Sequence, residues 1–297
     1  MGFILTTTNL TKTYGKKDAA KDINIHVREG EIYGLIGRNG AGKTTVMRVI
    51  SGLSKATSGS YELLGENKFG VGVLIESPGI YPNMSAEENL RLKCIALGCN
   101  RKDYIDGLLK TVGLENTGKK PAGSFSLGMR QRLGIALALV GDPRMIVLDE
   151  PINGLDPQGI VEVRKTLERL KNEKGITIMI SSHILDELSK LADSYGIIHE
   201  GRLLDEFTTE ELTDRCGRFV TVRTDDNSRA LKLLQDAGFD HSVIDENKDI
   251  RVDDAIHQTI EINSLLVHAG VGVKELLIKN TSLEDYYLSV TGGKHNG

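Results

Sequence analysis

The sequence predicts an α/β fold built on a parallel sheet, followed by a smaller α+β module. Apolar strand-like and helix-like segments alternate up to about residue 215, which is typical of parallel strands joined by crossover helices. A glycine-rich loop connects the strand-like run 31–36 to the helix-like run 43–50. After about residue 217 the order becomes β-α-β-β-α-β, which suggests a small ferredoxin-like module.

Length and composition set the limits of this prediction. The 297 residues suffice for two unequal domains, which we expect at residues 1–217 and 218–297. The hydrophobic content of 39% and charged content of 26% are ordinary for a soluble chain. No apolar stretch approaches the roughly 18 residues of a membrane helix. The net charge of −4, without a basic block, argues against nucleic acid as a partner.

The glycine-rich loop is the strongest single motif. It fits the phosphate-binding pattern G-x-x-x-x-G-K-[ST], and its glycines allow backbone N–H groups to close around a polyphosphate. The following helix start adds unpaired N–H groups and a positive dipole end. Lysine would supply a point charge for the outer phosphates and threonine an oxygen for Mg²⁺. The residues are Gly37, Arg38, Asn39, Gly40, Ala41, Gly42, Lys43 and Thr44.

About a hundred residues later, the apolar strand 145–148 ends in Asp149 and Glu150. In a phosphate-loop fold, Asp149 would reach Mg²⁺ at the carboxyl end of the strand. Glu150, one residue further, can orient or deprotonate an attacking water. The next apolar strand, 176–180, precedes Ser181-Ser-His183. This strand would lie beside the one that ends in Asp149 and Glu150, so His183 could reach a γ-phosphate.

The remaining segments complete the predicted order. Apolar residues at 160, 163, 167 and 170 are spaced to line one face of a helix between these two strands. The C-terminal module is predicted to contain strands at 219–223, 242–245, 249–252 and 273–278 and helices at 228–237, 255–269 and 282–290.

The segment Ser-Phe-Ser-Leu-Gly-Met-Arg-Gln-Arg at 124–132 makes a family resemblance specific. Together with the motifs above, residues 1–215 resemble the ATP-binding subunit of an ATP-binding-cassette (ABC) transporter. The resemblance implies a RecA-like core, a small β-subdomain and a helical signature subdomain. The family motifs occur here in the usual order. They are the phosphate loop (37–44), the Gln loop (about 76), the signature (125–129), the acidic strand (145–150), the D-loop (153–156) and the His switch (183).

The resemblance also implies roles for individual residues. ATP would bind to the phosphate loop and Thr45, with Tyr14 stacked on the adenine. Mg²⁺ would be held by Thr44, Asp149 and Glu76. Lys43 and His183 would contact phosphate, and Glu150 would be the general base.

The family pattern further implies partners. Two copies would clamp ATP head to tail, with Ser126 and Gly128 of one copy completing the site of the other. The dimer would bind integral membrane permease subunits at the cytoplasmic face of the membrane.

Two departures from the family pattern refine the functional prediction. The signature reads Phe-Ser-Leu-Gly-Met instead of Leu-Ser-Gly-Gly-Gln, and Glu76 replaces the glutamine of the Gln loop. Glu76 and its neighbours resemble export ATPases for bacteriocin immunity and bacitracin-type resistance, so we expect export of a peptide antibiotic, bacteriocin or drug. The alternatives are a non-transport ABC ATPase and an ATP-binding regulatory subunit. A single phosphate loop disfavours the first, and the Asp149-Glu150 pair the second.

Overall fold

The computed structural model describes residues 2–63, 70–99, 101, 103–216, 218–245, 248–253, 255–280 and 282–292. The chain divides into two compact units, Met1–Thr208 and Thr209–Gly297. Within the described residues, no helix combines the length and the apolar character needed to cross a bilayer.

The first unit alternates strands and helices through most of its length. Its strands are β1 (Phe3–Tyr14), β2 (Lys17–Ile23), β3 (His26–Arg28), β4 (Ile32–Ile36), β5 (Ser58–Leu63), β6 (Gly72–Leu74), β7 (Met145–Asp149), β8 (Thr177–Ser182), β9 (Ser194–His199) and β10 (Arg202–Thr208). Its helices are α1 (Lys43–Ile50), α2 (Ala86–Leu97), α3 (Tyr104–Thr111), α4 (Leu127–Ala138), α5 (Pro157–Lys174) and α6 (Leu185–Ser189).

The central sheet of this unit has the strand order β10-β9-β4-β8-β7-β6. All neighbours are parallel except β10, which runs antiparallel to β9 at the edge. Every residue of β4, β7 and β8 is buried, which explains their continuous apolar runs, because helices cover both faces of a parallel sheet. The predicted parallel α/β core is confirmed.

A second, antiparallel sheet packs near the start of the unit. It has the order β2-β1-β3, and β5 pairs with β1. Helix α1 lies between this sheet and the central one, since Val46 and Met47 share a core cluster with Leu10 on one side and Met179 on the other. The loop that precedes α1 is therefore held by two sheets.

Helices α2, α3 and α4 contact one another beside the central sheet. A capping box starts α2, in which the Ser85 hydroxyl accepts the Glu88 N–H and the Glu88 carboxylate accepts the Ser85 N–H. The hydrogen bond from the Ser85 N–H holds the pKa of the Glu88 carboxyl below its usual range. The Ser126 hydroxyl caps α4 in a similar way by accepting the Met129 N–H at 3.2 Å.

The second unit contains α7 (Thr209–Cys216), β11 (Arg218–Thr224), α8 (Asn227–Asp236), β12 (Ser242–Ile244), β13 (Ile250–Asp253), α9 (Thr259–His268), β14 (Val273–Asn280) and α10 (Leu283–Thr291). Strands β11 to β14 form an antiparallel sheet in the order β12-β13-β11-β14. Its core joins Val220 and Val222 of the sheet to Leu234 of α8 and Leu266 of α9.

One element of this unit is shorter than the sequence predicts. Helix α9 begins at Thr259 rather than at residue 255. The preceding residues form a turn instead, closed by a hydrogen bond of 2.9 Å from the Gln258 N–H to the Ala255 carbonyl.

Candidate functional site

A cavity of about 630 Å³ lies beside the loop between β4 and α1, within the usual size of small-molecule sites. Several residues predicted from the sequence line it, together with residues from β1, β2 and the loop after β9. The lining residues are Tyr14, Lys17, Asp18, Ala19, Arg38, Asn39, Gly40, Gly42, Lys43, Thr44, Thr45, Glu150, Glu200 and Gly201.

Glycine is required at three positions of the loop, for different steric reasons. A Cβ on Gly37 would lie 2.4 Å from the carbonyl oxygen of Ile198, and one on Gly42 would lie 2.5 Å from that of Ala19. Gly42 also has a φ of 112° and Gly40 a φ of 81°, in the region that favours glycine. A Cβ on Gly40 would meet no atom within 4 Å, so its backbone faces open space and an anion can approach it closely.

The start of α1 is suited to a phosphate group. Gly42 is the N-cap and provides no side-chain cap, and the first turn carries no acidic residue. The first N–H groups of the helix therefore remain available, and the helix dipole adds positive potential. The Lys43 ammonium is 5% exposed and donates to the Gly37 carbonyl at 2.6 Å. This backbone and its cation fit the nucleotide that the sequence predicts.

Asp149, at the end of β7, joins α1 to β8. Its Oδ2 accepts the Thr44 hydroxyl at 2.7 Å, and its Oδ1 accepts the Ser181 hydroxyl at 2.5 Å. The threonine hydroxyl and the carboxylate are the hard oxygen donors that suit Mg²⁺. Within the described ranges, no group of three or more His, Cys, Asp or Glu side chains could hold a metal.

Glu150 lies between two possible proton or charge partners. Its Oε1 is 3.1 Å from the Lys43 Nζ, and its Oε2 is 2.8 Å from the His183 Nδ1. Its backbone has a φ of 51° and donates its N–H to the Ser181 hydroxyl at 2.9 Å. Such a left-handed backbone in a non-glycine residue is uncommon and persists where the surroundings fix it.

The pairing of β7 with β8 explains why these side chains meet. The strands are parallel neighbours, with Asp149 opposite Ser181 in the register. The residues that follow, Glu150 and His183, therefore leave the sheet at the same edge. This neighbour relation, expected from the sequence, is confirmed.

Tyr14 ends β1 at the rim of the cavity and is half exposed. The Lys12 ammonium lies 5.0 Å from the centre of its ring. Asp18 lines the same part of the cavity and accepts the Thr13 hydroxyl at 2.8 Å. That hydrogen bond, with Lys21 nearby, lowers the pKa of the Asp18 carboxyl.

Glu76, the third predicted metal ligand, forms an ion pair with helix α1. It follows β6 with a φ of 67°, and its carboxylate pairs with Arg48 of α1 at 2.6 Å. The side chain is 63% exposed and is not among the cavity-lining residues.

The signature residues are also outside the cavity lining. Ser126 is exposed at the start of α4, and the side chain of Leu127 is 40% exposed. Gly128 is buried, and a Cβ there would lie 3.5 Å from the Gly159 Cα. One chain therefore brings the loop, Asp149, Glu150 and His183 together, but not the signature.

Sequence reasoning missed Ser181 as a site residue. Its hydroxyl contacts both acidic residues, and its side chain is completely buried. The available signal was a small polar residue at the end of an otherwise apolar strand. Glu200 and Gly201 also line the cavity, although no sequence motif singles them out.

Known proteins share this fold. The family model described as ABC transporter matches residues 20–153. The chain is 44% identical over 303 residues to the bacitracin transport ATP-binding protein BcrA of Bacillus licheniformis, covering 99% of each chain. It is 46% identical over 203 residues to the lantibiotic transport ATP-binding protein SrtF of Streptococcus pyogenes, covering 67% of this chain and 88% of SrtF.

A solved structure has a similar fold. The ADP conformation of MJ1267, an ATP-binding cassette of an ABC transporter, matches with a TM-score of 0.63 and 27% identity, over 71% of this chain and 93% of that one. The chain therefore belongs to the ATP-binding proteins of ABC transporters. It is a nucleotide-binding ATPase subunit, as its sequence motifs predict.

Proposed function

We propose that this ATPase drives the export of a peptide antibiotic of the bacitracin or lantibiotic class. The observation that carries the proposal is the extent of the similarity to BcrA, whose alignment covers 99% of this chain and so includes the C-terminal unit. The partial match to SrtF supports the same class of cargo. The rivals named from the sequence gain no comparable support.

The phosphate loop would bind the nucleotide. The free N–H groups at the start of α1 and the Lys43 ammonium face the place where the β- and γ-phosphates would lie. Tyr14 would stack against the adenine at the rim. Thr44 and Asp149 would hold Mg²⁺, which supplies charge neutralisation for the phosphates when bound. Glu76, paired with Arg48, would contribute only if that ion pair opens.

Glu150 would act as the general base. Its carboxylate is 19% exposed, so an attacking water can reach it, and its backbone is fixed by Ser181. His183 lies 2.8 Å from that carboxylate and would orient it while contacting the γ-phosphate. Lys43 would stabilise the charge that develops on the transferred phosphoryl group.

A second copy would complete the site. Ser126 and Leu127 are exposed at the start of α4 in one chain, and Ser126 with the N–H groups there would bind the γ-phosphate held by the other. Two copies clamped head to tail on ATP would then bind separate integral membrane subunits at the cytoplasmic face of the membrane. ATP binding would close this dimer and hydrolysis would open it.

The substitution Glu150→Gln tests the chemistry. We expect the variant to bind ATP normally and to lose turnover by at least ~10²-fold, because the amide cannot accept the proton. Near-normal turnover would overturn the assignment of the base.

Antibiotic tolerance tests the cargo separately. Expression of the chain with its membrane subunits in a bacitracin-sensitive bacterium should raise the tolerated bacitracin or lantibiotic concentration. The same complex carrying Glu150→Gln should not. If ATPase activity depends on Glu150 but neither class of peptide is tolerated, the proposed cargo is wrong and the enzyme assignment stands.

A further inference from the structure

Strand β14 (Val273–Asn280) forms an open edge of the sheet in the second unit. Among the described residues its one partner strand is β11, on the inner side. Most of its side chains are exposed, including the apolar Leu277 at 43% and Ile278 at 51%. An exposed edge strand of this length, with apolar residues at its centre, can pair with another strand.

The sequence of this edge is complementary to itself. In an edge strand, every second residue points its N–H and C=O groups outward. When two identical edges pair antiparallel, the same residues point outward in both copies, so the twofold axis lies midway between the two copies of one residue. With the axis at Leu277, each residue faces the one equally far from Leu277 in the other copy. Glu275 then faces Lys279, and Leu276 faces Ile278.

This register pairs unlike charges on both sides of the axis, while Lys274 faces Asn280. The two copies form two Glu275–Lys279 pairs, one on each side of a Leu277–Leu277 contact. An axis at Leu276 would place Glu275 opposite Leu277, and an axis at Ile278 would place Leu277 opposite Lys279. Directly opposed unlike charges and apolar pairs stabilise antiparallel strands, whereas mismatched pairs do not.

Existing contacts do not prevent this pairing. Glu275 is 44% exposed, and its one ion contact within the described ranges is with Arg223, at 3.4 Å. The closer partner of Arg223 is Asp249, which accepts two hydrogen bonds of 2.8 and 2.7 Å from it. The Glu275 carboxylate can therefore turn to a second chain without leaving Arg223 unpaired.

We propose that the occupant of this edge is a second copy of the chain, paired through β14 into a continuous eight-stranded sheet. The contact requires neither ATP nor the membrane subunits. It is thus distinct from the ATP-clamped dimer of the proposed function and does not depend on the cargo.

Charge reversal tests the register in the full chain. In nucleotide-free buffer, sedimentation between about 1 and 100 µM should detect a dimer of the wild type. Glu275→Lys and Lys279→Glu each turn both cross-strand pairs into like-charge pairs, so each should raise the dimer dissociation constant by at least ~10-fold. Matched reversals at exposed helix positions, Glu261→Lys and Lys232→Glu, should leave it unchanged.

Two combinations make the test specific. The double variant Glu275→Lys/Lys279→Glu should regain the dimer, because the opposed charges are again unlike. An equal mixture of the two single variants should also form dimers, since all pairs between the two different chains are unlike. If the single variants failed to dimerise only because the edge strand had unfolded, neither the double variant nor the mixture would regain the dimer.

Cross-linking provides an independent measurement. Leu277→Cys, in a background with Cys94, Cys99 and Cys216 replaced by Ala, should form an intermolecular disulfide when treated with a mild disulfide oxidant. The exposed control Ile260→Cys should not. A monomeric wild type, or a dimer insensitive to both reversals, would overturn the proposal. The proposal would also be overturned if the wild type is a monomer and the β14 variants lose binding to the membrane subunits. That result would assign the edge to the membrane subunits.

Discussion

Replacing Ser181 by alanine tests whether its hydroxyl positions the hydrolytic residues. The hydroxyl donates to the Asp149 carboxylate at 2.5 Å and accepts the Glu150 N–H at 2.9 Å. A hydrogen bond to a charged group contributes about 1.5–3 kcal/mol, and an orphaned buried N–H costs about 1–3 kcal/mol. We therefore expect Ser181→Ala to lower the free energy of unfolding by about 3 kcal/mol, on the order of 10²-fold in the folding equilibrium constant.

Turnover is the decisive measurement for Ser181→Ala. Without the hydroxyl, the left-handed backbone of Glu150 loses its fixed partner, and a shift near 1 Å in a catalytic group costs on the order of 10²-fold in rate. We expect kcat for ATP hydrolysis to fall by about that factor, with the KM for ATP changing little. Steady-state kinetics below the unfolding temperature separates the two parameters.

Thr177→Val is the matched control in the same strand. Thr177 is fully buried and its hydroxyl accepts the Gly30 N–H at 2.9 Å, at the opposite end of β8. This variant should lose about 1 kcal/mol of stability and keep wild-type kcat. If Ser181→Ala also keeps wild-type kcat once the stability loss is allowed for, the positioning role is refuted.

Three further predictions concern other contacts. Gly42→Ala should abolish ATP binding in a fluorescent-nucleotide titration, because its Cβ would lie 2.5 Å from a carbonyl oxygen at a φ of 112°; normal affinity would contradict this. Arg48→Ala should free Glu76 and alter the Mg²⁺ dependence of hydrolysis, and an unchanged Mg²⁺ titration would make the ion pair irrelevant. Hydrogen bonds from Arg223 lower the pKa of the Asp249 carboxyl. This carboxylate therefore stabilises the second unit at pH values above its unfolded pKa, and the stabilisation is lost as the pH falls through its folded pKa. Thermal melts of Asp249→Asn should show a lower melting temperature than the wild type at pH 7, and the difference should shrink towards pH 3.

The sequence predicted the central part of the site because its signals are local. Two of these signals are the loop from Gly37 to Thr44 and the strand that ends in Asp149 and Glu150. In each, a recognisable strand or helix pattern lies next to residues of specific chemistry. Their meeting point follows from one general rule, since parallel strands bring their carboxyl ends to one edge. The β7–β8 pairing then explains the position of His183.

The position of Glu76 was harder to predict because it depends on a side-chain choice. The family resemblance suggested a metal ligand, whereas the structure pairs the carboxylate with Arg48, 28 residues earlier in the chain. A single sequence does not reveal which of several nearby cations a flexible carboxylate will contact. Ser181 was missed for a related reason, because its importance lies in two partners that only the strand register brings to it.

The order β4-β8-β7 in the middle of the sheet has an evolutionary consequence. The phosphate loop, the two acids and the histidine stand at the ends of these three adjacent buried strands, so the residues proposed for hydrolysis are all positioned by neighbouring strands. Glu76 follows the edge strand β6, and the signature starts α4. Under the proposed function, substitutions that adapt the chain to a different membrane partner or cargo are therefore expected in these peripheral segments, outside the three strands that carry the proposed hydrolytic residues.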